Sequence, residues 1–126
     1  MATLLNQAKT KVLKARAGLI DSIKLAGFKV GTAKQYTPTA TQTDLKSAVK
    51  IGDAYIKAFT SVTQVDALTY TYECTLTENE CVGGQITELA LVDGDGDAVC
   101  IKTFPAKLKE EDKVMTFKIN DTWEDS

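Results

Sequence analysis

The sequence predicts an α+β fold: an N-terminal amphipathic helix followed by a small, mainly antiparallel β-sheet or sandwich. Three observations carry that expectation. Leu4, Leu5, Ala8, Val12, Ala15 and Leu19 recur near helical spacing at the start of the chain. In "LTYTYECTL", apolar and polar residues alternate strictly, the period of a half-buried strand. Two apolar runs flank the glycine-rich "DGDGD", as the arms of a hairpin flank its turn. At 126 residues and 44% hydrophobic, the chain has enough apolar material for one core and no room for two ordinary domains. Residues 1–126 therefore read as a single domain, with a helix at about 3–17, a β-rich core at about 19–119 and an acidic tail at 120–126.

In the first segment, Asn6, Gln7, Lys9, Thr10 and Lys14 fill the side opposite the apolar stripe, and Gly18 supplies a C-terminal stop. The period then changes. Ile23, Leu25 and the run from Phe28 to Val30 predict an extended segment, with Gly27 marking a bulge or a close backbone approach. Residues 32–43, "TAKQYTPTATQT", hold five threonines and Pro38 and offer little to bury, so they predict a loop of a length that often carries function. A short turn or helical piece is expected at 44–46. "AVKIGDAYIKAFTSV" then predicts a second extended segment whose Val49, Ile51, Tyr55 and Phe59 share one parity, interrupted by Asp53 and Lys57.

The clearest strand follows. Leu68, Tyr70, Tyr72, Cys74 and Leu76 are expected on its core face, and Thr69, Thr71, Glu73 and Thr75 on its wet face. Gly83 and Gly84 punctuate the next turn. "QITELALV" and "AVCIKTF" predict the two arms of a hairpin, and Pro105, lacking an N–H, is expected to end the second arm. "KLKEEDK" reads as a charged turn and "VMTFKI" as a last strand with Met115, Phe117 and Ile119 on one face. The tail "NDTWEDS" is expected to fray, apart from Trp123 if it finds a groove.

Asp93, Gly94, Asp95 and Gly96 pose a choice between a calcium loop and a turn. A helix-loop-helix calcium loop needs Gly at its sixth position and a bidentate Glu at about its twelfth. Counted from Asp93, these are Ala98 and Phe104. Both fail, whereas Asp-Gly suits a tight two-residue turn. The expectation is a structural turn and no metal, although three carboxylates so close together repel and leave room for a weakly held cation.

The net charge of −2 conceals an asymmetry. Residues 1–50 carry nine Lys or Arg against Asp21 and Asp44, net +7; residues 51–126 carry six against fifteen acidic side chains, net −9. The basic residues are spread singly and few aromatics interleave with them, which disfavours nucleic acid. The split suits a protein partner, another copy of the chain included, with Lys9, Lys11, Lys14 and Arg16 as one surface and Glu78, Glu80, Glu110 and Glu111 as its acceptor. No stretch approaches the ~20 apolar residues that span a bilayer, and the N-terminus lacks the apolar run of a secretory signal. A soluble protein made in a cytoplasm, with no membrane partner, is expected. Cys74, Cys81 and Cys100 are odd in number and without C-x-x-C spacing, so they read as free thiols, with a bridge between Cys74 and Cys100 left open. Histidine is absent, and so are a nucleophile elbow and phosphate-binding glycine loops. Glu110 with Glu111, or Glu73 with Glu88, form no catalytic pair by pattern. The expectation is no enzyme, no catalytic residue and no cofactor.

"YTPTATQTDLKSAV" and the later "GGQITELALVDGDGDAVCIKTFP" resemble the N-terminal domain of phage tail-collar fibre proteins. Val30, Gly31, Tyr36, Pro38, Gln42, Thr43 and Leu45 match that family's first element; Gly84, Ile86, Glu88, Leu89, Leu91, Asp93, Asp95 and Gly96 match its second. The likeness covers roughly residues 3–119, and its motifs are turn and strand signatures. Ala90 stands where the family usually has a smaller residue, and the family usually continues into a fibre shaft after the position of Trp123. The resemblance implies the attachment end of a fibre: a virion structural protein of the tail, baseplate or collar, assembled in the host cytoplasm. Its expected partners are copies of itself, as a trimer or ring, and other virion tail proteins. It implies that loop 32–43, with Tyr36, Pro38 and Gln42, faces neighbours. A capsid or tail-tube decoration protein is the competing structural role, and an enzyme of unrecognised type a third.

Overall fold

The computed structural model describes residues 2–122. One short helix precedes two antiparallel sheets. β1 (Thr3–Leu4), β7 (Ala98–Leu108), β6 (Gln85–Asp93), β2 (Leu25–Gly31) and β3 (Ala48–Val49) lie side by side in that order, and β4 (Ser61–Asp66), β5 (Thr69–Leu76) and β8 (Met115–Thr122) form the second sheet. Phe28, Val30, Leu89, Leu91 and Cys100 from the first sheet share one core with Cys74, Leu76, Phe117 and Ile119 from the second. Each fully buried Leu, Ile or Phe contributes about 1.5–3 kcal/mol of transfer free energy. A second cluster, Leu5, Leu45, Ala90, Ala98 and Ile101, covers the opposite face of the larger sheet. β6 is thereby buried on both faces from Ile86 to Asp93, which is why "ITELALV" shows no alternation.

The helix α1 (Asn6–Arg16) is shorter than the expected 3–17. Thr3 and Leu4 pair instead with Ile101 and Cys100 on the edge of β7. Leu5, in extended conformation at the N-cap, then turns its side chain into the second cluster. Gly18 is the stop: it takes φ +77, its N–H donates to the Ala15 carbonyl, and the Leu19 N–H reaches back to Lys14. Ala8 alone on this helix is buried, while Val12 and Leu13 are exposed. No helix among the described residues is long and apolar enough to cross a membrane.

Elsewhere the structure follows the alternation and departs from it for local reasons. Gly27 is both a bulge and a close approach, since its register slips against β6 and a β-carbon there would overlap the Lys57 carbonyl. The expected strand over 48–59 is broken into the two-residue β3 and isolated bridges, because a turn at Gly52 and Asp53 joins the Ile51 N–H to the Ala54 carbonyl. Tyr55 is exposed as a result. In β5, Cys74 and Leu76 are buried, but Tyr70, and Leu68 just before the strand, are exposed. β7 does not stop at Pro105; it runs on to Leu108 through a bulge, where the missing N–H costs no ladder bond. Gly83 and Gly84 exchange backbone hydrogen bonds with Lys109, which is buried within the predicted charged turn and reaches the carbonyls of Glu78 and Glu110. Asn120, Asp121 and Thr122, expected in the tail, belong to β8; residues 123–126, Trp123 among them, lie outside the described residues.

Candidate functional site

Glu88 sits mid-strand in β6 with no exposure to solvent. A carboxyl group so placed needs donors on every side. Tyr36 Oη donates to its Oε1 at 2.6 Å, and the backbone N–H groups of Lys46 and Ser47 donate to its two oxygens at 3.0 and 2.8 Å. Gln42 Nε2 donates to Tyr36 Oη at 2.9 Å and to the Asp44 carbonyl at 2.8 Å. Thr87 and Thr103 fasten the same loop by donating to the carbonyls of Ala33 and Tyr36, and the Lys46 ammonium lies 4.1 Å above the Tyr36 ring. Burial and then the hydrogen bond to Glu88 push the Tyr36 hydroxyl up to about 12. A β-carbon on Gly31 would overlap the Glu88 carboxyl, so glycine is required at the neighbouring strand position. Loop 32–47 is in this way fastened to the sheet, with the buried Glu88 as one anchor beside Thr87, Thr103 and the Lys29–Asp44 ion pair. Tyr36 and Gln42, expected to face neighbours, turn inward to it; Pro38 is half-buried in the same loop.

The Asp93 turn has its own partner. Asp93, Asp95 and Asp97 place carboxylate oxygens within 4.8 Å of one another. Lys11 Nζ, from α1, reaches all three at 2.7, 3.2 and 2.8 Å. Burial lowers the pKa of this ammonium, but the hydrogen bonds to Asp93, Asp97 and Asp95 outweigh it and hold the group above the ordinary lysine range. Lys11 thus supplies the cation for which the three carboxylates leave room. The turn is longer than the two residues expected: the Gly96 N–H donates to the Asp93 carbonyl, Gly96 takes φ +86, and the Asp93 carboxylate accepts from the N–H groups of Asp95 and Asp97. That side-chain capping stabilises a three-residue loop over Gly94, Asp95 and Gly96.

The charge asymmetry is therefore partly neutralised inside the chain. Lys11 is committed to its own hairpin, and Glu80 to Lys57 at 2.6 Å and to the Thr77 N–H. Lys9, Lys14 and Arg16 remain on the exposed side of α1, and Glu78, Glu110 and Glu111 are exposed on the acidic side.

A groove of about 630 Å³ opens between α1 and the β4–β5 turn. Ala8, Val12 and Ala15 form one wall, Leu68 and Tyr70 the other, with Leu25 between them. Asp121 and Thr122, the end of β8, close one side, and burial raises the Asp121 pKa. The sequence reading did not find this groove. Its signal was the parity of Leu68 and Tyr70, which carries a core-facing pattern past the last residue able to cover it.

Cys74 and Cys100 are buried free thiols, on β5 and β7 in opposite sheets rather than on adjacent strands, and burial pushes both up to about 12. Cys81 is only partly buried, in a left-handed conformation beside Gly83. In comparison with known proteins, the chain matches no family model, no curated protein and no solved structure.

Proposed function

We propose that the chain is a virion structural protein, an adaptor of the phage tail, baseplate or collar that attaches fibres or neighbouring tail components through protein–protein contacts. The observation that carries this reading is the Glu88 network. Gly31, Tyr36 and Gln42 belong to the first element of the resemblance to tail-collar fibre domains, and Glu88 to the second. All four meet at one point in the fold. Motif residues with a joint structural task support a shared fold signature rather than chance spacing.

Two surfaces suit assembly. β4 is an edge strand with all six residues exposed, Val62 and Val65 among them, and its free backbone groups can accept a further strand. Lys9 and Lys14 on α1 remain available to the exposed Glu78, Glu110 and Glu111 of another copy, a heterologous pairing that closes a trimer or ring. The protein would reside in the virion tail after assembly in the host cytoplasm. Mass spectrometry of purified particles tests this: the chain is expected at a fixed stoichiometry to tail proteins, and its absence from particles would refute the adaptor role.

A further inference from the structure

We propose that β4 is a pairing edge whose partner is β4 of a second copy, laid antiparallel about a twofold axis that passes beside Thr63. This names the strand that β4 receives, which the adaptor reading leaves open, and it stands whether or not the chain is a virion protein. The two edges of the three-stranded sheet differ in how they are guarded. Along β8, Lys118 stands mid-strand, Lys102 of β7 donates to the Lys118 carbonyl, and the Lys107 ammonium lies over the stacked rings of Phe104 and Phe117. Lysine on an edge deters a further strand. β4, "SVTQVD", has no lysine, arginine, proline or glycine, and its residues are all exposed.

The side chains of β4 suit a second copy of itself. On the solvent face the sheet is laced by cross-strand hydroxyl pairs: Thr69 with Thr122, Thr75 with Thr116, and Thr75 also with Thr60, just before β4. Such pairs stabilise neighbouring antiparallel strands. Thr63 lies on that face, opposite Thr71, and its hydroxyl has no partner among the described residues. A twofold at Thr63 sets it opposite Thr63 of the other copy, and sets Val62 opposite that copy's Gln64 on the other face. The register of β4 on β5 is regular from Ser61 to Gln64 and slips beyond it, so this centre falls in the regular part of the strand. Charge agrees. Asp66 is the one charged residue of β4, and the twofold carries its two copies to opposite ends of the contact, roughly 20 Å apart at ~3.4 Å per residue. That exceeds the screening length of ~8 Å, so they repel little.

A strand pair of this length buries less than the ~1,200 Å² of stable complexes, so the dimer should form and dissociate reversibly with concentration. Sedimentation of the purified full chain, from micromolar to near-millimolar, is expected to show a monomer passing to a dimer and nothing larger. Thr63→Lys and, separately, Thr63→Glu change an exposed side chain. Each variant, with native far-UV circular dichroism, should weaken the dimer about tenfold or more, because like charges are set face to face. An equimolar mixture of the two should dimerise at least as well as the wild type, since each lysine then meets a glutamate. A wild type that stays monomeric at every concentration would overturn the proposal. So would species that grow past the dimer, which would mean that β4 meets a different edge. A dimer that Thr63→Lys leaves unchanged, or a mixture that stays monomeric, would overturn it equally.

Discussion

Tyr36 Oη donates a 2.6 Å hydrogen bond to Glu88 Oε1 across 52 positions of sequence, and that contact helps to fasten loop 32–47 to the sheet. Glu88→Ala leaves a hydroxyl and two backbone N–H groups without their acceptor in a part-buried site, at about 1–3 kcal/mol in all because water can reach some of them. Tyr36→Phe removes one donor and should cost about 1–3 kcal/mol. Gly31→Ala should be at least as damaging as Tyr36→Phe, because the added methyl overlaps the carboxyl. Urea unfolding measures all three; a Glu88→Ala midpoint equal to wild type would show that the loop is held by something else.

The same contact gives alkaline sensitivity. Tyr36 holds its proton to about 12 in the fold against an ordinary 10, so its contribution is complete below pH 10 and is lost as pH rises from 10 towards 12. Tyr36→Phe should flatten this part of the stability profile. An identical alkaline slope in wild type and variant would contradict the assignment.

Lys11 and Asp93 make a comparable link at the C-terminal end of β6. Lys11→Met should cost on the order of 1 kcal/mol, between the values typical of exposed and buried pairs, because Asp93 is covered while Asp95 and Asp97 are half exposed. Added salt should return part of the loss by screening the three carboxylates. For the wild type, excess chelator should leave the melting midpoint nearly unchanged; a fall of more than about 10 °C, roughly one to two kcal/mol for this size, would show that a metal rather than Lys11 holds the turn.

Thiol chemistry separates the cysteines. Under native conditions Cys81 should label first, and Cys74 and Cys100 only with global unfolding, since burial keeps both thiols protonated and out of reach. Time-resolved mass spectrometry of the labelled peptides decides; early modification of Cys74 would contradict the packing of the two sheets.

Much of this architecture was legible because strands declare themselves through side-chain parity. The alternation through Cys74 and Leu76, the Met115, Phe117 and Ile119 face, the Gly18 stop and the Asp93 hairpin all rest on short-range pattern. Long-range pairing explains the misses. Thr3 and Leu4 looked helical because nothing nearby reveals that β7 has a free edge, and Pro105 looked terminal because a bulge depends on the partner strand. Lys11 reads as one of several surface lysines until α1 is set beside a hairpin 82 residues away. Glu88 was the more readable omission: a carboxyl group inside "QITELALV", on a strand buried on both faces, requires donors, and Tyr36 and Gln42 were already marked as a motif.

The central claim, that the chain is a tail adaptor, is tested most directly by imaging particles that carry an affinity tag on this protein, labelled with gold and viewed by negative stain. The label is expected at the tail, collar or baseplate, where fibres or tail components join. Gold spread over the head shell or along the tail tube would identify a decoration protein, and unlabelled particles from a host expressing the tagged chain would contradict a virion role altogether.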